Sequence, residues 1–225
     1  MTQRFDAKKA ATKIYTRSII GRMMKGLRLR KGLTCLTLPN TSYDLERYII
    51  QNFNVKYMFC HEIDEETYVK SKKIADELPN VILSPTDVFN VKGGKFDLVW
   101  LDLCASFQCA DKVIEFIKNN DFKSGAIIAI TFCKQRGTLS EELEKQYPDY
   151  KNSGFIFHML DVLPAGSTNV HHADYMEKSS GSLMSFFIFK TPKNERHGSG
   201  KNSGTEGRRN KEAQLGTVDA GTTSS

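Results

Sequence analysis

The chain lacks any apolar run of about 18 residues, the length a membrane-crossing helix needs. Its N-terminus has neither the apolar stretch nor the small-residue cleavage site of a secretory signal. Cysteine is scarce and odd in number: Cys35, Cys60, Cys104, Cys109 and Cys133. Four of the five lie in or beside apolar, strand-like runs. That pattern speaks for reduced, buried thiols in an intracellular protein (cytoplasmic or nuclear) and against a disulfide framework. Glycine is missing where a phosphate-binding loop would want it. The first apolar run continues as LTLPNTS, so a dinucleotide fingerprint or a P-loop is unsupported.

Acidic residues are nearly absent from the start of the chain. Residues 1–31 hold ten Lys/Arg against Asp6 alone, a charge of +9. Residues 191–225 carry +2, and the remaining residues 32–190 carry −5. The net charge of +6 over 225 residues therefore describes an acidic body with a basic arm, and a uniformly basic domain is excluded. Residues 194–225 are dominated by Gly, Ser, Thr and Asn, with Leu215 and Val218 the only aliphatic side chains beyond alanine. Such a segment cannot bury enough surface to offset its chain entropy. The expected organisation is a basic N-terminal helical arm (1–31), a folded domain (32–191) and a disordered C-terminal tail (192–225).

Apolar spacing supplies the elements. Ala7, Ala10, Ala11, Ile14 and Tyr15, then Ile19, Met23 and Leu27, predict a helix over 6–30 with its stripe turned to the body. LTCLTL (33–38) reads as a strand, and Thr41 or Ser42 with Asp44 as the cap of a helix carrying Leu45, Tyr48, Ile49 and Phe53. VKYMFC (55–60) is a second strand, and Asp64 caps a helix through Leu78. Val81–Leu83 and FDLVWL (96–101) are the third and fourth strands, and a helix follows at 113–117. AIIAITF (126–132) is apolar throughout, as a strand covered on both faces should be. A short helix is expected at 139–147, and Phe155–Leu160 and Leu183–Phe189 read as two closing strands. The polar stretch 161–182 between them reads as a lid or a variable loop. The alternation predicts a doubly wound, mostly parallel α/β sheet.

In such sheets ligands bind outside the carboxyl ends of the strands, near the switch point. Pro39-Asn40 follows the first strand, and the helix start at 41–44 offers backbone N–H groups. After the second come His61, Glu62, Ile63 and Asp64. Glu62 suits hydrogen bonding to a ribose diol, or merely solvates the next helix; Asp64 is expected to cap it. Asp87, after the third strand, is either an acceptor for an adenine amino group, with Val88 or Phe89 packing on the ring, or an ordinary turn residue. Asp102 ends the fourth strand, where a carboxylate is costly unless solvated, paired or used. Lys134 and Arg136, after the fifth, are placed to meet phosphate or simply solvate a loop. Cys104 is expected as a buried thiol, and Cys60-His61 lacks a second ligand pair for a metal.

Taken in order, CHEID (60–64), PTDVF (85–89), KFDLVWLD (95–102) and GAIIAITF (125–132) resemble a class I S-adenosylmethionine-dependent methyltransferase over roughly 30–190. The resemblance implies a seven-stranded Rossmann-like sheet with S-adenosylmethionine as cofactor. It implies cofactor contacts at Pro39, Asn40, Glu62, Ile63, Asp87, Val88 and Asp102, with Asp102 also the catalytic residue facing the acceptor. LDLC and TFCKQRG look like divergent viral or mobile-element members. The sequence departs from the family at the first motif, where LTLPNTS stands for an acid and several glycines. Amino-methylating nucleic-acid enzymes carry an Asp/Asn-Pro-Pro-aromatic run after the fourth strand; here it is Asp102-Leu103-Cys104-Ala105, and Phe107 would have to supply a stacking face. The resemblance implies a methyltransferase acting on nucleic acid delivered by the basic arm. A catalytically inactive nucleic-acid-binding or assembly module of the same fold is the alternative.

Overall fold

β5 (Asp121–Cys133) is buried at every residue from Gly125 to Cys133. That is the signature of a strand covered on both faces. It lies in a seven-stranded sheet of order β3-β2-β1-β4-β5-β7-β6. The other strands are β1 (Leu33–Thr37), β2 (Val55–His61), β3 (Val81–Ser84), β4 (Lys95–Ser106), β6 (Thr168–Glu177) and β7 (Ser182–Lys190). β1 to β5 pair parallel, and β7 runs antiparallel between β5 and β6. The computed structural model describes residues 11–27, 30–39, 42–134, 141–177 and 181–193. The expected tail beyond Lys193 lies outside the described residues.

Helices α1 (Ala11–Met24), α2 (Asp44–Asn52) and α3 (Glu65–Ala75) share one core with one face of the sheet. α4 (Ala110–Lys118) and α6 (Phe155–Val162) share another core with the opposite face. A short α5 (Glu141–Gln146) follows β5. α1 is held to the body by Ile19, Ile20, Met24 and Leu27, all nearly inaccessible. Each such burial contributes about 1.5–3 kcal/mol relative to exposure. Arg17 pairs with Asp44 at 3.3 Å, and Arg30 pairs with the buried Asp97 at 3.2 Å. Asp97 also takes Lys123 Nζ at 2.6 Å and the Thr34 amide at 2.9 Å. A carboxylate this buried is tolerable only with such partners.

The sheet departs from expectation at its far edge. Phe155–Leu160 is not a strand; it belongs to α6, where Phe155 and Met159 are buried at i,i+4 and Phe157 is 59% exposed. A six-residue apolar run does not itself separate strand from helix. The turn that precedes it decides: a π-helical segment Tyr150–Gly154 winds directly into α6. Gly154 is required there, since a Cβ would lie 2.6 Å from the Tyr147 carbonyl oxygen. The sixth strand is instead β6, inside the stretch expected to be a loop. As an edge strand it carries polar residues on a partly exposed face. The cap of α2 differs as well. Tyr43 occupies the cap position in a left-handed backbone (φ 53°), and Ser42 Oγ donates to Asp44 Oδ2 at 2.7 Å.

Candidate active site

The chain leaves β1 toward β2 on one side and returns from β3 to β4 on the other, so the switch point lies between β1 and β4. Glu62 and Asp87 follow strand ends near it, and Asp102, expected to end the fourth strand, lies four residues before the end of β4. Glu62 directly follows β2, is half-buried, and its Oε1 accepts the Asp64 amide at 2.8 Å. Its own amide donates to the Ser84 carbonyl at 3.1 Å, which fixes it against the end of β3. Asp87 follows β3, and its Oδ1 accepts the Phe89 amide at 3.0 Å, capping a single 3-10 turn, Val88–Asn90. Asp102 lies within β4, half-buried, in register with Thr131. Pairing between β4 and β5 breaks between Asp102 and Ser106. Such an irregularity re-aims the backbone and is common beside active sites.

The other expected site residues scatter. Pro39 is buried at the end of β1, and Asn40 lies outside the described residues, as does Arg136. Ile63 is 71% exposed. Asp64 caps α3 through the Thr67 amide at 2.8 Å. Val88 is in the core, so it has no face to offer a ring. Phe107 corrects an expectation: it is 1% exposed and stacked on Phe132 at 4.5 Å, so its faces are filled by protein. Lys134 Nζ is bound by Asp174 Oδ2 at 2.5 Å and by Asn152 Oδ1, so it enters the site as half of an ion pair. His172 lies on that same face, its Nε2 3.6 Å from Asp174 Oδ1 and its ring stacked on Phe187. Burial lowers its pKa against the opposing pull of Asp174.

The structure adds residues the sequence reading passed over. Glu46, on α2, is fully buried, and burial pushes its pKa up to about 7 against the opposing pull of hydrogen bonds and Arg17. It falls three residues before Ile49 and seven before Phe53, on the apolar face of its helix, which is the signal that marks it. Tyr43 is 0% exposed, and burial holds its phenol neutral. Among the described residues, Tyr43 Oη, Glu46 Oε2, Ser71 Oγ, Trp100 Nε1 and Thr131 Oγ1 are buried without a hydrogen-bond partner. All five belong to the face covered by α1, α2 and α3. Thr37 pairs in register with Trp100, and Asp102 with Thr131, so of the orphaned atoms of the sheet one sits in β4 level with the end of β1 and the other near the carboxyl end of β5. Each unpaired buried polar group costs about 1–3 kcal/mol. Their concentration beside the switch point marks the place where a polar ligand would relieve the cost.

No protein-family model matches the chain, and no curated protein matches it in sequence. Solved structures do match in fold. A putative sarcosine dimethylglycine methyltransferase from Galdieria sulphuraria superposes with a TM-score of 0.56 at 11% identity, over 80% of this chain and 86% of that one. The N-methyltransferase NodS from Bradyrhizobium japonicum WM9, in complex with S-adenosyl-L-homocysteine, gives 0.54 at 9% identity, over 82% and 90%. The [4+2]-cyclase SpnF gives 0.53 at 11% identity, over 82% and 84%. The fold is therefore the Rossmann-like sheet shared by class I S-adenosylmethionine-dependent methyltransferases, and SpnF shows that this sheet also carries a reaction of another name.

Proposed function

We propose that the chain is an S-adenosylmethionine-dependent methyltransferase acting on nucleic acid. The observation that carries the reading is the set Glu62 after β2, Asp87 after β3 and Asp102 in the carboxyl half of β4. Acceptor-only groups suit a ligand that is cationic and donates from a diol and an amine. The orphaned Trp100 and Thr131 atoms beside Asp102 add unfilled polar valence to the same region. When bound, S-adenosylmethionine supplies an electrophilic methyl group on a sulfonium. Glu62 would hold the ribose hydroxyls and Asp87 the adenine amino group, through the oxygen its cap leaves over. Asp102 would orient the acceptor nitrogen or oxygen and take its proton as the new bond to carbon forms. Such an in-line displacement draws much of its rate from positioning. The nucleic-acid substrate is argued from the cations that α1 and the turn after it expose, Arg22, Lys25 and Lys31. The glycine-free loop after β1 and the LDLC and TFCKQRG runs support a divergent member of viral or mobile-element type.

Calorimetric titration with S-adenosylmethionine tests the chemistry. Binding is expected, and Glu62→Ala is expected to abolish it. No heat at millimolar ligand would remove the enzyme reading. A second reading, a non-catalytic nucleic-acid-binding or assembly module, is favoured by Pro39 and the missing glycines after β1. It predicts nucleic-acid binding without any cofactor binding.

A further inference from the structure

The ends of the parallel strands differ in charge. The carboxyl ends carry Glu62, Asp87, Asp102, Asp149 and Asp174, with Lys134 already neutralised by Asp174. The amino ends carry the opposite sign in an ordered row. Lys56 is the second residue of β2, Lys31 precedes β1 by two residues, and Lys95 opens β4. Lys123 is the third residue of β5, and Lys190 closes the antiparallel β7 at the same edge. These strands are neighbours in the order β2-β1-β4-β5-β7, so a lysine stands at each in turn, with Lys123 already held by Asp97 and the other four left to offer charge. At about 4.8 Å between strands the row spans roughly 19 Å. One strand of B-DNA presents about five or six phosphates over that length, at about 3.4 Å each.

Two backbone details draw the row together. A Cβ on Gly32 would meet the Lys56 Cβ at 3.6 Å, which sets Lys31 beside Lys56. A Cβ on Gly125, whose φ is +68°, would meet both Arg30 Nη2 and Lys193 Cγ at 3.3 Å. The end of the arm and the exit of β7 thus converge over one glycine. A shallow concavity opens at this edge, lined by Lys95, Lys123, Ser124, Pro164 and Pro192. The acids here are Asp97, buried under Arg30 and Lys123, Asp121, exposed opposite Lys95, and Asp161, exposed three residues before Pro164.

We infer that the amino edge of the sheet, and not the acidic carboxyl edge, grips the phosphodiester backbone of nucleic acid. The inference rests on the nucleic-acid part of the function proposed above and is independent of methyl transfer. The grip is electrostatic, salt-sensitive and blind to base sequence. It anchors the polymer on one edge while the opposite edge remains available to a cationic cofactor.

Fluorescence anisotropy with labelled 20-nucleotide DNA, single-stranded and duplex, tests this on the full chain without cofactor. The double variant Lys95→Gln/Lys193→Gln removes one exposed cation from the row and one from the exit of β7 beside it. Lys112→Gln/Lys145→Gln removes two exposed cations from α4 and α5, away from it. The first is expected to lose about tenfold in affinity at low salt, and its log–log salt slope to fall by about two. The second is expected to bind like the parent, and thermal melts of both check that they fold. A parent that binds while the two double variants weaken equally, or not at all, overturns the amino-edge inference and leaves the nucleic-acid reading standing. A parent that binds no DNA, or binds phosphatidylserine vesicles instead, overturns both. Calorimetry with S-adenosylmethionine is scored separately, so loss of the enzyme reading does not register here.

Discussion

The two faces of the sheet are built on different terms. The face under α4 and α6 is aromatic and closed. Phe107, Phe132, Phe155 and Phe187 meet with centroid distances from 4.5 to 6.5 Å, and Tyr150 and Phe189 join them. The face under α1, α2 and α3 is just as buried, yet it encloses Glu46, Tyr43, Ser71, Trp100 and Thr131 with polar atoms unmet. One face spends its burial on packing and the other leaves polar valence open beside the switch point. The proposed function places its chemistry on the second.

The largest effect that breaks this comparison is expected on the aromatic side. Phe155→Ala removes a ring that touches five others and should cost about 3–5 kcal/mol, read as a lower midpoint in chemical denaturation. A loss below about 1 kcal/mol would mean the cluster is not the stabilising face. The polar side is expected to respond to pH instead. Glu46 has its folded pKa raised to about 7, above the ordinary carboxylate value of the unfolded chain. The folded state then binds the extra proton, so stability falls as pH rises from about 4.5 through 7. Glu46→Gln should flatten that decline and be the more stable chain at pH 8, by an amount on the order of a few kcal/mol. Parallel melting curves of parent and variant between pH 5 and 8 would refute the assignment. The smallest effect belongs to Tyr43→Phe, which removes only an unpaired buried hydroxyl. Stability should hold or rise by about 1 kcal/mol. A marked loss would show that the hydroxyl is satisfied in solution.

The same contrast explains what the sequence made legible. β5 stands out because a strand buried on both faces must be apolar throughout, as AIIAITF is, while β2 and β3 are partly exposed and show as short apolar runs between helical segments. Glu62, Asp87 and Asp102 are visible because each carboxylate interrupts or follows such a run. β6 is hidden because an edge strand mixes His171, His172 and Asp174 among few apolar residues. α6 is hidden because FIFHML is too short and too apolar to reveal a period. Tyr43 gives no warning, since a left-handed backbone at a tyrosine is imposed by tertiary packing and not by local preference. Phe107 misleads because a lone aromatic near a site looks the same in sequence whether it faces ligand or core.

The clasp on Asp97 also fixes an order of events. Arg30 must wait for Asp97, 67 residues later, and for the Ser124 carbonyl, 94 residues later. At about 5–20 residues per second, a ribosome needs roughly 5–20 s to deliver that last partner. Until then α1 lacks one of the strands it lies against, because β5 is unmade. The contacts that anchor the turn after α1 are thus completed long after α1 itself is made.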